Sequence, residues 1–449
     1  MNTQKVIIDG QQIREIARGQ FIMPGQTILP HMKKQDFLNN GELIIKGVDD
    51  TAVILDKNAL ARHILCLGAI GSGKSVTMYH IIKDIRSKAT KDDVFVFFDA
   101  KGDYLKEFYK HGDYVVSNDL EKVDGAINWN IFEDIMSIHP EKREDGIREI
   151  SASLFKEDIE RSSAPVFSIG ARDIFSGILI AITRDIDDNG TEWDNEKLVQ
   201  WLKKATIITI RNLLVKHKDL AWIRNLVNND MEGANQSFLV HLNQNIFNIF
   251  SGEFAKGGGF SMKRCIKEKG GKAIFLEYDL ANGNILRPIY TLLIDLAMKE
   301  SLGRSKTEGN VYFILDEFPL IPKLNYMDNA LNFGRSLGVK VIAGIQNVGQ
   351  VLETYGESGG MSIISGFGTI FTFKLNDEVS RQTVKGRHGA NKVVMKMLST
   401  NVAKGVQDIY MDSSVIEDSH ISDLRIGQCI ISPFNGEPFK FYPVMYEGR

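Results

Sequence analysis

The sequence predicts an α/β fold with a mainly parallel sheet, interrupted by an inserted all-α domain. Three observations carry this. Apolar runs such as Ile64-Leu65-Cys66-Leu67 and Val94-Phe95-Val96-Phe97-Phe98 show no alternation, which suits strands covered on both faces. Between such runs, apolar residues recur at helical spacing, as at Met78, Ile81, Ile82 and Ile85. From 132 to 262 helical periodicity takes over, and the strand runs then return.

Residues 1–60 read as a strand-rich segment, with strands over 42–46 and 52–55 around a Gly47/Asp49-Asp50 turn. Residues 61–131 and 263–449 read as two halves of one α/β domain, with strands over 64–67, 94–98, 273–278, 311–315, 341–345, 370–373 and 429–432. In the inserted block, 132–262, one helix face carries Ile147, Ile150, Leu154, Phe155 and Ile159. A second carries Phe175, Ile178, Leu179 and Ile182, and a third Phe238, Leu242, Ile246 and Phe250. The most apolar stretch, 174–182, ends at Arg184 and reads as a core helix, because no run approaches 18 consecutive apolar residues.

Composition bounds the function. At 449 residues the chain has room for two or three domains, and 25% charged with 43% hydrophobic residues is ordinary for a soluble globular protein. A net charge of −3 excludes a uniformly basic nucleic-acid coat, leaving local patches. Cys66, Cys265 and Cys429 lie far apart without a C-x-x-C, which argues against a disulfide framework or a zinc site and points to a reducing cytoplasm.

The segment Gly68-Ala69-Ile70-Gly71-Ser72-Gly73-Lys74-Ser75 satisfies the phosphate-loop pattern G-x-x-x-x-G-K-[ST], between a strand run and the helix that opens near Val76. Glycines permit a tight turn whose N–H groups converge on a phosphate, and the helix N-terminus adds partial positive charge. Lys74 would reach the β/γ oxygens and Ser75 would ligate Mg²⁺. A nucleoside triphosphate with Mg²⁺ is the expected ligand. No guanine-reading N/T-K-x-D motif accompanies the loop.

A second half of the site lies beyond the helical block. Val311-Tyr312-Phe313-Ile314-Leu315 ends in Asp316-Glu317, and a parallel strand delivers its last residues to the ligand-binding edge of the sheet. Asp316 suits Mg²⁺ and Glu317 suits a general base. Gln346, ending the strand over 341–345, should lie beside Asp316, and Arg335 sits at a helix end before that strand. From spacing alone, the plainer readings of these two are favoured: a solvated arginine and a turn glutamine.

The set GAIGSGKS, FFDAKGD, INWNIFEDI, FILDEFP, GRSLGVKVIAGIQN and LRIGQCII resembles the conjugative type IV secretion coupling proteins. These are RecA-like, hexameric DNA-translocating ATPases of the FtsK/HerA superfamily. The resemblance implies a RecA-like nucleotide-binding domain with an inserted all-α cap. It implies ATP as the nucleotide, in a site of Gly68, Gly71, Ser72, Gly73, Lys74, Ser75 and Val76, with Asp99 supporting the phosphate loop from an adjacent strand. It further implies Asp316 and Glu317 as the Walker B pair, Gln346 as γ-phosphate sensor and Arg335 as an arginine finger acting in trans. DNA, a hexameric homo-oligomer, a relaxase and secretion-channel proteins are the implied partners. Such proteins usually begin with membrane-spanning helices, which this sequence lacks. The expectation is therefore a cytoplasmic motor reaching the membrane through a partner. Two alternatives stay open: a HerA-like motor partnered with a nuclease in anti-phage defence or end processing, and an ATP-dependent switch or scaffold.

Three basic patches are candidates for DNA: Lys263, Arg264, Lys267, Lys269 and Lys272; Lys385, Arg387, His388, Lys392 and Lys396; and Arg211, Lys216, His217 and Lys218. The second is favoured, with Lys385, Arg387 and Lys392 expected on a glycine-rich loop after a core strand.

Overall fold

The computed structural model describes residues 6–8, 11–13, 20–22, 41–48, 51–118, 126–227, 232–278, 283–303, 309–398 and 406–448. Short strands β1 (Val6–Ile8), β2 (Gln11–Ile13) and β3 (Gln20–Ile22) precede a hairpin of β4 (Gly41–Lys46) and β5 (Ala52–Asp56). Strand β6 (Ile64–Leu67) leads into helix α1 (Lys74–Ser87), and β7 (Val94–Asp99) into α2 (Asp103–Phe108) and β8 (Tyr114–Val116). The helical stretch contains α3 (Ile131–Met136), α4 (Arg143–Arg161), α5 (Pro165–Asn189) and α6 (Glu232–Ile249), with shorter helices among them. There follow α7 (Met262–Glu268), β9 (Ala273–Glu277), α8 (Gly283–Leu302), β10 (Val311–Leu315) and β11 (Val339–Ile345). The chain closes with α9 (Val348–Tyr355), β12 (Thr369–Thr372), α10 (Glu378–His388), β13 (Ala390–Leu398), β14 (Val406–Ser414), β15 (Cys429–Ser432) and β16 (Phe439–Phe441).

Contacts divide the chain into unit 1 (Met1–Thr90, Tyr312–Leu320, Met327–Arg449) and unit 2 (Lys91–Val311, Ile321–Tyr326). In unit 1 the sheet order is β16-β15-β12-β6-β11-β10. Strand β6 runs parallel to β11 on one side and β12 on the other, with Leu67 opposite both Ile345 and Thr372. Strands β15 and β16 extend the sheet antiparallel. All residues of β6, β10, β11 and β12 are buried, as their unalternating runs predict. Helix α1 covers the sheet with Met78, Ile81, Ile82 and Ile85, the stripe read from the sequence.

One buried histidine pins the start of β6. His63 holds a left-handed backbone (φ 63°), accepts the Val341 N–H at Nδ1 (3.0 Å) and donates from Nε2 to the Leu331 carbonyl (3.1 Å). Only the neutral ring can do both, and burial pushes its pKa down to about 4.

Unit 2 carries the parallel strands β7-β9-β8, with Phe97 stacked on Phe275 at 4.6 Å. Its helices pack through the predicted faces: Ile147, Ile150, Leu154 and Phe155 of α4 are buried, and Phe155 meets Phe175 of α5 at 5.8 Å. Ile159 is only half-buried, so that face stops a turn early. Among the described residues α5 is long and apolar enough to cross a membrane by length and composition; 72% of its apolar window is buried within the protein.

A polar knot secures the entry to the helical stretch. The fully buried Asp134 carboxylate accepts from Trp129 Nε1 (2.6 Å), Ser261 Oγ (2.7 Å) and Lys263 N (2.8 Å). Asn195 accepts the Ile131 N–H and donates to the Trp129 and Phe254 carbonyls. The W-N-x-F element is thus a packing device: Trp129 is fully buried, and Asn130 caps α3 through the Phe132 N–H.

The structure corrects one sequence expectation about placement. Lys385 to His388 form the last turn of helix α10, not a loop, because the helix that Asp377 caps runs on through Gly386 and ends at Gly389, whose φ is 78°.

Two measurements follow. Asp134→Ala leaves three buried donors without an acceptor at about 1–3 kcal/mol each, so denaturant unfolding should show a loss of about 3 kcal/mol or more. His63 has a folded pKa below its unfolded value, so its contribution is fully present above about pH 6.5 and lost as pH falls through about 4. Stability should drop by about 3 kcal/mol from this residue over that window, and His63→Asn should flatten the dependence.

Candidate nucleotide site

The parallel register of β6, β11 and β12 delivers Gly68, Gln346 and Phe373 to one edge of the unit 1 sheet. The phosphate loop is tied there by its own backbone. Gly68 N–H donates to the Ile345 carbonyl (3.1 Å), Ala69 N–H to Lys374 O (3.0 Å), and Gly427 N–H to Ser72 O (2.8 Å). Gly73, at φ 101°, begins α1 and has no room for a side chain, because an added Cβ would sit 2.5 Å from Gly427 Cα. The loop tip is open, with Ile70 84% exposed.

Four groups converge behind the loop. Lys74, 6% exposed, points its Nζ to within 3.6 Å of Glu317 Oε1. The other carboxylate oxygen, Glu317 Oε2, accepts from Gln346 Nε2 at 2.8 Å. Asp316 Oδ1 accepts the Glu317 N–H at 3.1 Å. Gly344 makes this convergence possible: a Cβ there would meet Asp316 Oδ1 at 2.8 Å, Met78 Sδ at 3.1 Å and Lys74 Cε at 3.5 Å. Glu317 itself adopts a left-handed backbone (φ 55°), a strained conformation for a residue with a side chain.

Sequence reasoning named Lys74, Asp316, Glu317 and Gln346 as one site, and all four meet in unit 1. It placed Gln346 beside Asp316, whereas its hydrogen bond goes to Glu317. Gly344, Gly427 and His63 were missed; the G-V-K-V-I-A-G and L-R-I-G-Q segments signalled the first two, but only packing shows why they must be glycine. Ser75 is half-buried at the head of α1. The donors Ser75 hydroxyl and Asp316 carboxylate are hard oxygens of the kind Mg²⁺ takes together with phosphate oxygens, so the residues present fit that ion. Cys66 is inert here: burial pushes its thiol up to about 12, with Lys74 opposing and Asp316 assisting.

One expectation is redrawn. Both edges of β6 are occupied by β11 and β12, so Asp99 does not stand on a strand adjacent to the phosphate loop's. The Asp99 carboxylate instead accepts the Leu105 N–H (2.8 Å) and the Lys101 N–H (3.3 Å) at the start of α2. Arg335 lies in the short helix Gly334–Leu337, before β11. Gln346 lies just after β11, and seven strand residues separate the two ends by about 20 Å.

The basic patches are largely engaged internally. Lys263 and Lys267 pair with Glu300, Arg264 with Glu133, and Lys272 donates to Tyr114 Oη. Lys385 pairs with Asp418 at 2.9 Å and holds that carboxyl below the usual range. Arg387 donates to the Phe367 and Gly368 carbonyls. Lys392 falls on β13, and its side chain lies outside the described residues.

Fold and site together define a phosphate-loop protein with a RecA-like α/β sheet and an added helical region. The chain belongs to the type IV secretion-system coupling protein family, whose DNA-binding domain model matches residues 50–427. It is 24% identical over 318 residues to the coupling protein TraD of Escherichia coli K12, covering 69% of this chain and 41% of that protein, so it spans about two fifths of this relative. Its fold matches the unbound bacterial conjugative coupling protein TrwBdeltaN70 with TM-score 0.75 at 19% identity, covering 96% of each chain. It also matches TrwB in complex with ADP and Mg²⁺ (TM-score 0.72, 18% identity, 95% of each) and VirB4 of Thermoanaerobacter pseudethanolicus (0.54, 13%, covering 91% of this chain and 97% of that one).

Gly344→Val should weaken binding of a fluorescent ATP analogue with Mg²⁺ at least tenfold, while circular dichroism stays unchanged, because the new side chain displaces Lys74 and Asp316. Gln346→Ala should leave that affinity within about twofold and lower turnover, which steady-state kinetics reads directly.

Proposed function

We propose that this protein is an Mg²⁺-dependent ATPase that drives DNA through a ring of identical subunits, in the service of conjugative transfer. The observation that carries the reading is the meeting of Lys74, Asp316, Glu317 and Gln346 behind the phosphate loop. In the proposed reaction the loop amides and Lys74 would bind the β- and γ-phosphates, and Ser75 with Asp316 would hold Mg²⁺, which would offset phosphate charge. Glu317 takes a proton from the attacking water, and Gln346 orients the carboxylate that does so. In this structure both Glu317 oxygens are engaged, by Lys74 and by Gln346. An arriving γ-phosphate competes for Lys74 and so releases one oxygen to the water.

Arg335 stands at the opposite end of β11 and cannot reach its own subunit's site. That supports the reading in which it acts on a neighbour's nucleotide within a hexamer, with 132–262 as an all-α insertion in one nucleotide-binding domain. DNA, a relaxase and secretion-channel proteins are the proposed partners. The internal pairing of Lys385 and Arg387 favours other residues, or a rearranged state, for the DNA contacts.

ATP turnover should rise with DNA and lose that stimulation as salt increases from about 50 to 200 mM, because phosphate contacts release counterions. Glu317→Gln should bind ATP and abolish turnover. Equal rates with and without single- and double-stranded DNA at every salt concentration would overturn the motor reading.

A further inference from the structure

The chain just after the candidate base is anchored far more heavily than a connecting segment requires. Glu317 has its left-handed backbone, Leu320 N–H donates to the Glu317 carbonyl at 2.8 Å, and buried Phe318 stacks on Tyr355 at 5.9 Å. The chain then enters unit 2 for Ile321–Tyr326 and returns to unit 1 at Met327. Within those residues Ile321 and Leu324 are buried, and polar groups of α4 and α8 clasp the backbone.

Asp295 of α8, 4% exposed, is the centre of the clasp. Its Oδ1 accepts the Asn325 N–H (2.9 Å) and the Tyr326 N–H (3.3 Å), and its Oδ2 accepts from Asn325 Nδ2 (2.8 Å). Lys156 of α4 donates to the Lys323 carbonyl (2.9 Å) and to Asn325 Oδ1 (3.2 Å). Tyr326 donates its hydroxyl to Glu149 of α4, which also pairs with Lys299 of α8. Burial pushes the Asp295 carboxyl up to about 6 despite these donors, so the site holds a carboxylate where an apolar residue would be less costly to bury.

A strained backbone persists only where its surroundings over-determine it. Upstream, Glu317 is set by the fully buried strand β10. Downstream, it is set by the turn to Leu320 and by whatever fixes the chain after it. We propose that Asp295 is a positioning residue for Glu317: it fixes Asn325 and Tyr326, and through the intervening chain maintains the left-handed backbone that presents the base. This inference rests on the reading of Glu317 as the hydrolytic base.

The test compares Asp295→Ala, Asp295→Asn and Asn325→Ala in the full chain. Turnover should fall at least tenfold in Asp295→Ala with affinity for a non-hydrolysable ATP analogue within twofold. Asp295→Asn, which keeps one acceptor oxygen, should be intermediate. Amide hydrogen exchange should quicken across 317–326 and stay unchanged in the phosphate loop and β6. Asn325 is exposed, so Asn325→Ala gives the same readings if the aspartate variants fail to fold. Unchanged exchange at 317–320, or a loss of analogue affinity matching the loss of turnover, would overturn the clasp's role. Absent turnover in the wild type would instead sink the hydrolytic reading, and the exchange data would still decide whether Asp295 holds Glu317.

Discussion

Everything at the nucleotide edge depends on β6 lying between two parallel neighbours. Parallel strands end at the same edge of a sheet, and the register of Leu67 with Ile345 and Thr372 aligns three strand ends to within a residue. The phosphate loop then needs no side chains to hold its shape, since Ile345 and Lys374 accept from it and Gly427 donates to it. A one-residue slip of β6 against β11 would carry the phosphate loop and Lys74 away from Gln346. His63 guards against such a slip by bonding the amide of Val341, the residue before Ile342, which pairs with Ile64.

The charges at this edge are arranged around a competition. Lys74 stands 3.6 Å from the Glu317 carboxylate, in a site with little exposure. Burying such a pair is costly unless its remaining valences are met, and Gln346 meets one of them. In the proposed reaction a triphosphate would offer Lys74 a more highly charged partner, and its binding would free a Glu317 oxygen. The left-handed φ of Glu317 belongs to the same arrangement, since it sets the direction of the carboxylate that Lys74 and Gln346 hold.

Elsewhere the polar groups serve structure. Asp134 and Asn195 knit the start of the helical region through hydrogen bonds to Trp129, Ile131, Ser261 and Phe254. Many lysines and arginines that look like a DNA-binding surface in the sequence pair with Glu300, Glu133 or Asp418. Sequence clusters of cations therefore overstate the free positive charge, since partners distant in the chain neutralise them.

The phosphate loop, the strand ending in Asp316-Glu317, the α1 stripe and the helical faces were all legible in the sequence, because each depends on neighbours within a few residues or on a strict period. The α/β class followed from the same runs. Tertiary structure alone decided which strands adjoin. It set β11 and β12, not Asp99's strand, beside the phosphate loop's strand, turned Lys385 to His388 into a helix end, and joined Gln346 to Glu317. It also explained Gly344, Gly427, His63 and Asp295, whose roles depend on atoms tens to hundreds of residues away. Local chemistry writes itself in local sequence; close approach between distant segments is settled only when the core has packed.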